Sequence, residues 1–114
     1  RIERNTANLA RAIAFYHEAL GFRIEDANAK PPAWTWLPGL CETAPRCALL
    51  SLGAQVLALT EFPAAAPYPQ AGAANDLCFQ HCAIVVDDMD AAYQCVMRHG
   101  AAPITRDGPQ TLPP

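Results

Sequence analysis

The chain has 114 residues, enough for one domain with a modest core, and 52% of them are hydrophobic. Charged residues make up 17%, the net charge is −3 and no basic stretch is clustered, so we expect no nucleic-acid partner. Arg, Glu or Pro breaks every apolar run well short of the roughly 20 residues of a membrane helix, so we expect no membrane span.

Ile2 to about Thr6 reads as a strand. Asn8 is a helix N-cap, because its side-chain oxygen can accept from the free amides of a first turn. Leu9, Ile13, Tyr16 and Leu20 then recur at helical spacing, and Ala12, Phe15 and Ala19 widen the stripe. Arg11, His17 and Glu18 take the other side, and Gly21 stops the helix. Phe22 to Glu25 opens a second strand. Residues 26–46 hold Pro31, Pro32, Pro38, Gly39 and Pro45 and read as irregular, apart from a short strand at Trp34 and Trp36. A hairpin follows, with Cys47–Leu52 and Val56–Phe62 on either side of a turn at Gly53. In its second arm Leu57, Leu59 and Glu61 share one face, while Val56, Ala58, Thr60 and Phe62 share the other.

Residues 63–76 are rich in Pro and Ala and read as a connection lying on the protein. Phe79 to Val86 reads as an apolar strand. Asp88 caps a second helix, and Asp90 favours its positive end. Met89, Ala92, Tyr93, Val96 and Met97 form its buried stripe, and Gly100 ends it after Arg98 and His99. From Pro103 the chain is irregular again.

Two segments therefore repeat: Arg1-IERNTANLARAIAFYHEALGF and His81-CAIVVDDMDAAYQCVMRHGA. Each is a strand, a cap, an amphipathic helix and a glycine, which points to one supersecondary unit used twice. Arg1 stands seven residues before Asn8, and His81 seven before Asp88, so the two are counterparts. Equivalent positions of the copies should face one another, and a site is expected between them. The second copy lacks the three strands that follow the helix in the first. That would leave an unpaired sheet edge and a half-covered helix, so we expect the natural chain to continue past Pro114. The absence of an initiator Met points the same way at the other end.

The five cysteines are odd in number and form no CxxC. Cys82 and Cys95 sit in apolar patterns and read as small core residues. Cys41 and Cys47 are spaced to close a short loop, but a reduced cytoplasmic setting is the simpler reading.

Asn8-LARAIAFYHEALGF, the arm Leu57-ALTEF and Gln80-HCAIVVDDMDAAY together resemble the vicinal oxygen chelate superfamily. That group includes glyoxalase I, extradiol dioxygenases, fosfomycin-resistance proteins and bleomycin-binding proteins. The resemblance spans essentially the whole chain. It implies an α+β fold in which tandem βαβββ modules form a curled mixed sheet around a cleft. Here 1–114 would be one glyoxalase-like domain: module one about 1–62, a connection over 63–76, and an incomplete module two from 77. It also implies a small-molecule ligand and a homodimer. In the enzymes of the group a divalent metal (Fe, Mn, Ni, Zn or Co) is held by a first-strand His or Gln and a fourth-strand Glu of each module. Carried over, Glu61 takes the fourth-strand position of module one and His81 the first-strand position of module two. Arg1 falls at the first-strand position of module one and has no lone pair to give a metal. The fourth position would lie beyond Pro114.

Two readings of different class follow. In one, Glu61 and His81 hold a metal that polarises vicinal oxygens for lyase or isomerase chemistry. Glu61 doubles as the proton-transfer group, with its pKa raised beside a cleft. A dioxygenase variant fits so short a chain less well. In the other, a metal-free protein sequesters a drug or metabolite. Arg1 then pairs with Glu61 or holds an anionic group, and Trp34, Trp36 and Tyr68 wall the pocket. The plain alternatives are a strand-end charge at Glu61, a satisfied strand histidine at His81, a terminal residue at Arg1 and packing roles for the aromatics. His17 and His99 read as surface residues, and Gln110 as part of a terminal loop.

Overall fold

The computed structural model describes residues 1–31, 44–63, 65, 81–111 and 113. Its elements are β1 (Ile2–Asn5), α1 (Leu9–Glu18), β2 (Arg23–Ala29), β3 (Arg46–Leu52), β4 (Gln55–Glu61) and α2 (Met89–Arg98). The four strands form one sheet in the order β1-β4-β3-β2. β1 runs parallel to β4, and the other two pairings are antiparallel. A parallel pair needs a crossover, which α1, β2 and β3 supply, so residues 2–61 make one βαβββ module. The sheet is α+β in class, mixed, curled and unclosed. Part of its bend comes from β2, where Ile24, Asp26 and Ala29 oppose Leu50, Leu49 and Cys47. Each step spends one more residue on β2 than on β3, and such bulges bend and twist a strand.

α1 lies on one face of this sheet. The buried cluster is Leu9, Phe22, Ala48, Leu50, Leu57 and Leu59, with Leu50 and Leu59 fully enclosed. Ile13, Tyr16, Leu20 and Ile84 pack against it. The period of two puts Leu57, Leu59 and Glu61 on this helix-bearing face of β4 and leaves Ala58 and Thr60 on the other. In β1 the register pairs Ile2 with Leu57 and Arg4 with Leu59, so these two share the α1 face.

The two helices start alike. Asn8 accepts the Arg11 N–H at 2.9 Å, and Asp88 accepts the Ala91 N–H at 2.9 Å. Both are therefore the N-caps that the sequence implies. α2 ends with Gly100 at φ 84°, where the Gly100 and Ala101 amides reach back to the Met97 and Val96 carbonyls at 3.1 and 3.0 Å. That left-handed stop needs a residue without Cβ strain.

The second copy departs from expectation in three ways. His81–Val86 joins no strand ladder among the described residues. Cys82, read as a core residue, is exposed. The stripe of α2 contains no buried residue, and Met89 is 56% exposed. No strand or helix among the described residues packs closely under that stripe, whereas the stripe of α1 has a sheet beneath it. Cys47 is a buried free thiol, 3.4 Å from the Thr60 hydroxyl, so it closes no loop. The strand expected at Trp34 and Trp36, Tyr68 and most of the 63–76 connection lie outside the described residues.

Candidate functional site

A cavity of about 530 Å³ opens beside β1. One wall is the margin of the core: Tyr16 and Phe22, in edge-to-face contact at 5.3 Å, with Leu52 and Leu57. Another is β1 itself, Ile2–Arg4, with Gln55 and Val56 at the hairpin end. The third is His81–Val85, anchored by Ile84 packing against the core. The strand segments of the two repeat copies thus look onto one space. Its volume falls within the few hundred to one thousand Å³ typical of small-molecule sites. It lies on the α1 side of the sheet and most of its wall is apolar.

Few polar groups face it. Glu3 is tied to Arg1 by an ion pair of 2.9 Å between exposed side chains. Arg4 has no ion pair among the described residues. Gln55, His81 and Cys82 complete the polar lining. Of the residues singled out from the sequence, His81 is therefore at the cavity. Arg1 borders it only through Glu3, and it does not pair with Glu61.

Glu61 stands elsewhere. It is four residues beyond Leu57 along β4, about 13 Å at the usual strand rise. Its Oε2 accepts the Leu9 N–H at 2.6 Å, and its Oε1 accepts the Arg46 guanidinium at 2.7 Å. Leu9 is the first residue of α1, so the carboxylate satisfies a helix-start amide and sits at the positive end of the dipole. The Leu9 hydrogen bond first, and the Arg46 contact second, hold its pKa below the ordinary carboxylate value. The expected upward shift is thereby corrected: two donors favour the charged form more than partial burial disfavours it.

A metal would need donors that converge with lone pairs to spare. Among the described residues no three His, Cys, Asp or Glu side chains cluster to hold an ion. Glu61 has both oxygens engaged away from the cavity that His81 lines. The residues present do not fit a metal centre built on this pair.

Sequence reasoning missed Arg46 and Arg4. Arg46 was within reach: a two-residue turn at Gly53 and Ala54 puts Leu52 opposite Gln55, and stepping outward puts Arg46 opposite Glu61. Gly53 has φ 56°, the positive angle that a type II′ turn requires at this place. Arg4 carries no pattern that separates it from any strand cation. Also unforeseen is a polar cluster on β2 and β3, where Glu25 accepts from the Ser51 hydroxyl and, at 2.8 Å, from Arg23 Nε. Ser51 chiefly, and then Arg23, lower the Glu25 pKa.

The family model of the Glyoxalase/Bleomycin resistance protein/Dioxygenase superfamily matches residues 1–111. No curated protein and no solved structure matches the chain.

Proposed function

We propose that this chain, which belongs to the Glyoxalase/Bleomycin resistance protein/Dioxygenase superfamily, binds a small organic molecule without a metal, in the cavity between β1 and His81–Val85. The observation that carries the reading is that both repeat copies line that one cavity. A largely apolar wall with a few polar groups suits capture of a drug-sized organic molecule. The engagement of Glu61 with Leu9 and Arg46 supports the metal-free version, since it removes the best candidate ligand and base. The lyase or isomerase reading keeps one supporting observation, His81 at the cavity wall.

Calorimetric titration of the purified protein with phenylbutyl compounds tests binding. Ala83→Trp, at an exposed position of the lining, should fill the cavity and weaken binding at least tenfold while leaving the melting temperature close to wild type. Binding that is absent, or untouched by that substitution, defeats the proposal. Metal analysis of protein purified without chelators tests the other class. A stoichiometric transition metal that is lost in His81→Ala would replace this reading with the enzymatic one. A homodimer and a cytoplasmic location belong to the same proposal. The free thiols of Cys47, Cys82 and Cys95 support a reducing compartment, and no helix among the described residues is long and apolar enough to cross a membrane.

A further inference from the structure

We infer that the cavity selects an amphipathic anion, with an apolar body and one oxyanion head held by Arg4. This rests on the cavity being the binding site and adds the class of ligand. The charges at the wall do not balance. Glu3 is the one carboxylate of the lining among the described residues, and Arg1 already neutralises it at 2.9 Å. Arg4 has no ion pair among the described residues, so its charge is unmatched among them. His81 adds an imidazole, which is neutral or positive and never an anion. A lining whose described residues carry an unpaired guanidinium and no free carboxylate attracts anions and rejects cations.

The geometry places body and head together. Arg4 shares the α1 face of β1 with Ile2, so its stem begins beside the apolar wall of Tyr16, Phe22 and Leu57. A guanidinium is weakly hydrated and presents a planar fork of donors that matches a carboxylate or phosphate through two parallel hydrogen bonds. An apolar body against the aromatic pair and a head on Arg4 is the arrangement these positions allow.

The test compares four ligands on one frame: 4-phenylbutanoate, 4-phenylbutyl phosphate, 4-phenylbutanol and 4-phenylbutylamine. At least one oxyanion should bind tenfold or more tighter than the alcohol, and which one it is tells carboxylate from phosphate. Arg4→Gln should abolish that preference, weakening the oxyanion at least tenfold more than it changes the alcohol, and Arg4→Lys should retain part of it. Equal binding of oxyanion and alcohol, or an oxyanion preference that survives Arg4→Gln, overturns this inference and leaves the cavity as the site. Tightest binding of the amine overturns it too, and makes Glu3 the head contact. Binding of none overturns this inference together with the reading it rests on.

Discussion

At Glu61 one carboxylate joins three elements, the start of α1, the start of β3 and the end of β4. Its side chain is 22% exposed, against 54% for Glu3 in the Arg1 pair. Exposed pairs contribute little, while a hydrogen bond to a helix-start amide replaces a contact that the helix cannot make for itself. Glu61→Gln should therefore lower the melting temperature at pH 7 by more than Glu3→Gln does. The sign of the pH dependence follows from a folded pKa depressed below 4.5. Such a group stabilises fully above its unfolded value, and the contribution is lost as pH falls through the lower folded value. The gap in melting temperature between wild type and Glu61→Gln should hold at pH 7 and close as pH drops below about 4.5, which circular dichroism against pH will show. A gap of constant size down to pH 3 would argue against the capping role. The sequence made Glu61 visible as a carboxylate in line with Leu57 and Leu59. It did not say which face of the sheet that line occupies, because both faces of β4 carry apolar or small residues. Choosing the face needs α1 in place, where Glu61 accepts the Leu9 N–H.

The helices were the most legible elements, since a helix is specified locally. Asn8 and Asp88 each sit one residue before an apolar stripe and cap as expected. What the stripe packs against is not local, and here the copies part. The stripe of α1 meets three strands, β2, β3 and β4, whereas α2 has no buried residue. Identical chemistry should then have unequal consequences. Asn8→Ala should cost the domain about 1 kcal/mol in urea unfolding, the usual loss of a cap. Asp88→Ala should cost less than half of that globally, and should instead speed amide exchange at Ala91–Tyr93, because a helix with little buried surface frays without unfolding the rest. Equal losses would mean that α2 is as firmly packed as α1. Leu59→Ala, at a fully enclosed core position, should cost roughly 2–5 kcal/mol, as core truncations that leave a cavity do. The strand expected at Phe79–Val86 shows the limit of such reading. Val85 is 97% exposed, and residues 81–86 join no ladder among the described residues, so the apolar composition was legible and its burial was not.

For the whole molecule, the repeat matters more than any single residue. It implied that counterpart positions would face a common space, and Ile2–Arg4 and His81–Val85 line one cavity. The charge balance of that space was not legible, because it depends on which arginine is already paired. Among the described residues Arg1 is taken by Glu3, Arg46 by Glu61 and Arg23 by Glu25, and of the arginines without an ion pair Arg4 is the one that lines the cavity. Cys82 provides an internal reporter, being a free, exposed thiol on the cavity wall, while Cys95 is half-buried on α2. The most direct measurement is the alkylation rate of Cys82, followed by peptide mass spectrometry, with and without saturating 4-phenylbutanoate. Binding in the cavity predicts that labelling of Cys82 slows at least fivefold and that of Cys95 stays unchanged. An unchanged Cys82 rate while the ligand is bound would contradict the account.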